Sequence, residues 1–186
     1  MRNGRLDMVD KLQICKVRNV KTPTRGTPVA AGLDFYVPDD LTVDDMKAMF
    51  SKTNHVLDFE LNAKTGFVTR IIVKPGQSAC IPSGIKARIP DGYCMEFHNK
   101  SGVACKKSLI AGSQTIDSDY LGEWHIDVHN VSSVNAASIV AGEKIAQFLM
   151  YRVECPSVDV IGSEKELFEG VRSERGEGAF GSTGTN

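Results

Sequence analysis

The chain has 186 residues, 41% of them hydrophobic, which is enough apolar material for the core of one globular domain. Its 22 basic and 23 acidic residues are interspersed and leave a net charge of −1, so the broad basic face of a nucleic-acid binder is excluded and any phosphate chemistry must come from a local site. Five scattered cysteines without a C-x-x-C pair, no apolar leader and no membrane-length run predict a reduced, soluble, cytoplasmic protein.

In chain order, Leu12 to Val20 alternates loosely and gives way to a loop over Lys21–Pro28, where prolines and a glycine interrupt any regular element. Residues from about 40 to 66 depart from the surrounding pattern. Thr42 followed by Asp44 and Asp45 is a helix start with an N-cap and an acidic first turn, and Met46, Met49 and Phe50 fall at i, i+3 and i+4. Val56–Leu61 and Phe67–Val73 flank Asn62–Gly66 and predict a hairpin, so this segment is read as an inserted helix and strand. It packs on the β domain or across a subunit boundary; a docking surface for a regulatory protein is the alternative, and deleting residues 41–65 separates the two.

Further short strands follow at regular spacing. Arg70–Val73 stops at Pro75-Gly76, Ser78–Ile81 at Pro82-Ser83-Gly84, and Ile85–Ile89 at Pro90-Asp91-Gly92. Tyr93–Phe97, Trp124–Val131 and Ile145–Val153 complete a set that predicts an all-β sandwich or barrel. From Glu154 to Glu174 few residues can be buried, which predicts an arm that packs on something else, a neighbouring subunit being the obvious partner. The expected organisation is a β domain over residues 1–153 and an arm over 154–186.

Four segments carry donors and acids suited to phosphate chemistry. Asn99–Ala104 is a polar bend with Lys100, Ser101 and Gly102, suited to a phosphate-binding turn at a helix start. Asp117-Ser118-Asp119-Tyr120 follows Gly112 on a turn between strands; a carboxylate there can take a proton from attacking water, or merely cap the turn. Gly142–Gln147 is a turn leading into a strand with one amide side chain. The tail, Arg175–Gly184, has four glycines that cannot sit in a packed helix, yet can present successive N–H groups to anionic oxygens. Arg175, Ser182 and Thr183 add phosphate donors and Phe180 one aromatic face, a set that suits a polyphosphate nucleotide; a disordered tail is the plain alternative.

Together with Ala30–Phe35, these segments occur in the order of five motifs, and the chain resembles the homotrimeric dUTP pyrophosphatases, the dUTPases, from about residue 11 to its C-terminus outside the insertion. The resemblance implies a jelly-roll-like β fold, a homotrimer with each active site built from three chains, and Mg²⁺-dependent hydrolysis of dUTP to dUMP and pyrophosphate, with no nucleic-acid or membrane partner. By the same resemblance Asp117 activates water for attack on the α-phosphorus, and Tyr120 lies under the deoxyribose. Backbone from Gly112 through Thr115 and Ile116 reads uracil. Lys100, Ser101, Gly102 and Gln147 meet phosphates. Arg175, Gly181, Ser182 and Thr183 close over the terminal phosphate while Phe180 stacks on uracil. Asp34 orients the phosphate-binding turn or a water on the metal.

The chain departs from the family pattern in three places: Asn99-Lys100 stands where Pro-Arg is usual, Gln114 where glycine is frequent, and Ala179 for a tail glycine. Lysine keeps the charge of arginine and loses its forked donor geometry. The dCTP deaminases share this fold, and the position of their glutamate base is held here by Asp127. His125, Asp127 and His129 also alternate on one strand face, which reads as a polar face or, if three copies meet on an axis, as ligands for a transition metal.

Overall fold

A computed structural model describes residues 11–48, 54–112, 115–174 and 176–178. Met49, Phe50, Gln114, Arg175, Ala179, Phe180, Gly181, Ser182 and Thr183, all singled out in the sequence, lie outside those residues. Among the described residues the strands are short and the helices few, as the glycine and proline punctuation predicts. In chain order come β1 (Gln13–Lys16), β2 (Leu33–Tyr36), helix α1 (Val43–Ala48), β3 (Asp58–Leu61), β4 (Val68–Val73), β5 (Ser78–Pro82), β6 (Ile85–Arg88) and β7 (Tyr93–His98). Helix α2 (Ser101–Lys107) follows, then β8 (Leu109–Ala111), β9 (Thr115–Ile116), β10 (His125–Asn130), β11 (Ala137–Val140), β12 (Lys144–Arg152) and, in the arm, α3 (Glu164–Leu167).

The strands pair antiparallel in the orders β2-β12-β7-β9, β5-β10-β8, β11-β4-β3 and β1-β6, an all-β, jelly-roll-like arrangement. Strand alternation sends Phe35 from β2, Phe97 from β7 and Phe148 from β12 inward, where they meet Trp124. Phe148 is the hub, with ring centroids 4.4 Å from Phe35, 5.4 Å from Phe97 and 5.4 Å from Trp124. Removing one such ring from a packed core costs about 3–5 kcal/mol. Trp124 opens the stretch into β10, so the core fixes the far end of the Asp117 turn.

The predicted insertion is an integral layer of this domain. Thr42 caps α1 as expected: its Oγ1 accepts the Asp45 N–H at 3.0 Å, and the Asp45 carboxylate accepts the Thr42 N–H at 2.9 Å in return. Met46 on α1 is buried in the main core together with Leu41 and Leu57, so the apolar face that suggested a docking surface is spent inward at Met46. The Asn62–Gly66 hairpin forms, with Gly66 N–H on the Asn62 carbonyl at 2.8 Å, and β3 extends the sheet of β4. Asn54, fully buried, donates to the Cys80 carbonyl at 2.7 Å and accepts the Cys80 N–H at 3.0 Å. Its amide thus satisfies the edge of β5 as another strand would.

All five cysteines are free thiols. Cys80 is pushed up to about 12 by burial first and by Asp127 second, which leaves it unreactive at neutral pH.

The chain divides into two units, residues 1–154 and 155–186. In the second, α3 is capped by Ser163, whose Oγ accepts the Glu166 N–H at 3.3 Å. Val158, Val160, Leu167, Phe168 and Val171 are all exposed, so the described part of this arm has no core of its own. No helix among the described residues is long and apolar enough to cross a membrane.

Candidate active site

One group of predicted residues gathers where β2, β12 and the turn after β7 meet. Asp34 on β2 lies opposite Gln147 on β12, and Gln147 lies opposite His98 at the end of β7. The β12 register shifts between Lys144 and Ala146, a bulge of the kind that re-aims a side chain. Lys144 reaches the buried Asp34 carboxylate, Nζ to Oδ2, at 2.8 Å. Lys100, from the turn after β7, takes the other oxygen, Oδ1. Burial alone would raise the pKa of Asp34, but hydrogen bonds from Lys100 and then Lys144 outweigh it and hold the carboxyl below the usual range. In the same direction, the hydrogen bond to Asp34 raises the ammonium pKa of Lys144.

Asn99 ties this group to the next. Its carbonyl accepts Gln147 Nε2 at 2.7 Å and its side-chain oxygen accepts the Ala111 N–H. Where proline is usual, this chain thus has a side chain that binds the strand leading to Gly112. Ser101 and Gly102 are exposed at the start of α2, whose first ladder bonds run from the Val103 and Ala104 N–H groups to the Lys100 carbonyl, at 2.9 Å each. Gly32 is equally constrained: a Cβ there would lie 2.7 Å from Gln147 Oε1.

The second group is the turn after β9. Thr115 and Ile116 pair with Glu96 and Met95 of β7, which fixes the entry to the turn. Asp117 is exposed, and its carbonyl accepts the Tyr120 N–H at 3.2 Å. The Tyr120 ring folds back over Gly122, where a Cβ would sit 2.2 Å from the phenol oxygen, and its hydroxyl donates to the Glu123 carbonyl at 3.1 Å. Only glycine allows that approach. Gly112 donates its N–H to the Asp127 carbonyl at 2.9 Å, and a Cβ on it would lie 2.1 Å from Asp127 Oδ2 and 2.4 Å from His129 Nε2.

The alternation along β10 is as expected, with Ile126 and Val128 in the core and His125, Asp127 and His129 on the other face. Asp127 and His129 lie 3.5 Å apart. Burial lowers the His125 pKa, with the Glu123 charge opposing. Among the described residues no three His, Cys, Asp or Glu side chains converge on a metal position, so the transition-metal reading has no support within one chain.

These groups follow the order in which the motifs run, and the comparisons with known proteins decide the family. The dUTPase family model matches residues 59–184. The chain belongs to the dUTPase family. A deoxyuridine 5'-triphosphate nucleotidohydrolase of Corynebacterium jeikeium is 30% identical over 169 residues, spanning 90% of this chain and 88% of the relative. That of Anaplasma marginale is 27% identical over 176 residues, 94% of this chain and 96% of the relative. Among solved structures, the dUTPase of Staphylococcus bacteriophage 80alpha with dUpNHpp superposes with a TM-score of 0.66 at 21% identity, over 95% of this chain and 99% of that one. A dUTPase variant from S. aureus phage phi11, described with a structural Mg(II) ion, gives a TM-score of 0.60 at 18% identity, over 83% and 98%. The likeness to dUTPase structures bears out the jelly-roll-like fold.

Asp34, expected to orient the phosphate-binding turn or a water on the metal, has one ammonium on each carboxylate oxygen, from Lys100 of that turn and from Lys144. Asp34 is an ion-pair anchor. Two contributors, Lys144 and Arg18, were not singled out in the sequence, and Asn99 was singled out without its side-chain bond to Ala111. Lys144 had a signal, a cation three residues before Gln147; Asn99 had one in its departure from proline. Arg18, which pairs with Glu123 at 2.8 Å, had none, because 105 residues separate the two.

Proposed function

We propose that the chain hydrolyses dUTP, taken as its Mg²⁺ complex, to dUMP and pyrophosphate, keeping uracil out of DNA and supplying dUMP for dTTP synthesis. The observation that carries the reading is the Asp117–Tyr120 turn, pinned between a paired strand and a buried tryptophan in a chain of this family. Asp117 accepts the proton of the water that attacks the α-phosphorus, and the pyrophosphate oxygens carry away the charge. Tyr120 presents its ring to the deoxyribose and leaves no room for a 2′-hydroxyl. Backbone from Gly112 to Ile116 reads the uracil edge. Lys100, Ser101, Gly102 and Gln147 meet the phosphates, with Lys144 adding charge behind them. The Mg²⁺ rides on the phosphates, which bring their own oxygen ligands. Arg175, Gly181, Ser182 and Thr183 close over the terminal phosphate and Phe180 over uracil, excluding bulk water. The chain assembles as a homotrimer whose sites are shared, in which the apolar side chains of the arm find a neighbour.

Pyrophosphate release from dUTP, dCTP, dTTP and UTP, with nucleotide products identified, tests the reaction. Rapid dUMP formation from dUTP alone is expected. Ammonia and a uracil product from dCTP would instead move the chemistry to Asp127.

A second expectation concerns Gly122→Ala. The added methyl displaces the Tyr120 ring, and misplacement of a positioning group by about 1 Å costs on the order of 100-fold. Both a fall in kcat/KM for dUTP and a narrowed preference over UTP are expected in steady-state kinetics. An alanine variant with wild-type selectivity would remove Tyr120 from sugar recognition.

A further inference from the structure

One network outside the substrate groups runs from the inserted helix to the catalytic turn. Asp45 on α1 has Oδ2 engaged by the Thr42 N–H and hydroxyl, at 2.9 and 2.6 Å, which leaves Oδ1 for Arg18 Nη1 at 3.0 Å. The remaining nitrogens of Arg18 fork onto Glu123: Nε to Oε1 at 2.8 Å and Nη2 to Oε2 at 3.2 Å. Glu123 Oε1 also accepts the Gly84 N–H at 2.8 Å. Gly84 has φ +73° and a Cβ there would lie 2.8 Å from Val20, so the backbone donor is held where only glycine fits. Every atom of the Glu123 carboxylate is thereby fixed, and the carbonyl of the same residue accepts the Tyr120 hydroxyl. The side chains are mostly buried, at 21% exposure for Arg18, 29% for Asp45 and 15% for Glu123.

Burial opposes the charge on Arg18, yet its hydrogen bonds to Glu123 and then Asp45 outweigh it and raise the guanidinium pKa. What a forked guanidinium supplies is direction: two parallel bonds fix the carboxylate plane in a way a lysine ammonium cannot. We infer that Arg18, oriented by Asp45 of the inserted helix, is a positioning residue for the Tyr120 turn, setting through Glu123 how strictly the site separates deoxyribose from ribose. Neither Arg18 nor Asp45 is among the residues assigned to the substrate above. The insertion therefore acts on the reaction through this triad. The inference rests on the dUTP reading above, since it assigns Tyr120 to the sugar.

The test uses full-length protein: wild type, Arg18→Lys, Asp45→Asn and the double variant, each with dUTP and UTP, alongside thermal melting. Arg18→Lys keeps the charge and loses the fork. It is expected to narrow the dUTP-over-UTP ratio of kcat/KM by roughly 10-fold, mainly by lowering kcat for dUTP. Asp45→Asn should shift the ratio the same way by less, and the double variant should be no worse than Arg18→Lys, because Asp45 acts through Arg18. A lowered Tm with a wild-type ratio in both single variants would make the triad a structural fastener and overturn the inference. Should Arg18→Lys fail to fold, the ratio in Asp45→Asn decides alone. If the wild-type chain turns over no dUTP, the dUTP reading falls and the inference with it. Normal dUTP turnover with unshifted variants sinks the inference only.

Discussion

Asp117→Asn is expected to lower kcat for dUMP formation by about 10²–10⁴-fold, the range that removal of a general base commonly costs. KM should stay within a few-fold and the melting temperature close to wild type. The substitution is nearly isosteric, and the structure shows why it should be mild for the fold. Asp117 is exposed, and the turn is held by its carbonyl on the Tyr120 N–H, which the variant keeps. Its entry is fixed by β9 on β7 and its exit by Glu123 and the buried Trp124, none of which involves the Asp117 side chain. An amide in that place can hold a water by hydrogen bonds and cannot take its proton. A fall in kcat without a change in KM separates a lost base from a lost binding contact. Retention of activity within a few-fold would place the base elsewhere, and Asp127 beside Gly112 would be the next residue to change.

The sequence made strands legible where turns punctuate it. Pro75-Gly76, Pro82-Ser83-Gly84 and Pro90-Asp91-Gly92 end β4, β5 and β6 within a residue or so, because proline and glycine act locally. The α1 start was equally local, since Thr42 and Asp45 cap each other across three residues. The order of the motifs carried the family. What stayed hidden are pairings set by tertiary closure. Lys144 and Lys100 converge on Asp34 from positions 110 and 66 residues away, and Asn54 completes the edge of a strand 26 residues on. No period or spacing encodes such contacts; they exist only once the sheets have packed.

Shared sites make a sharper claim than trimer formation, and one mixed population tests it. In a threefold ring each chain hands one part of a site to the next in the same rotational sense. Consider two inactive chains, Asp117→Asn with an intact tail and a chain that ends at Glu174 with Asp117 intact, co-expressed with different tags and purified through both. Every doubly tagged trimer is then two of one chain and one of the other. Going round either ring, only one junction brings the intact Asp117 together with the intact tail, whichever chain is in the minority. If the tail closes on a neighbour's Asp117, the mixed trimers should show about a third of wild-type turnover per trimer. If the tail closes on its own chain, every site lacks one part and the mixture stays as inactive as its components. Val158, Val160, Phe168 and Val171 are exposed in an arm whose described residues form no core of their own. The chain that ends at Glu174 keeps those side chains, so it should still assemble, and its loss of activity reports the glycine-rich tail alone.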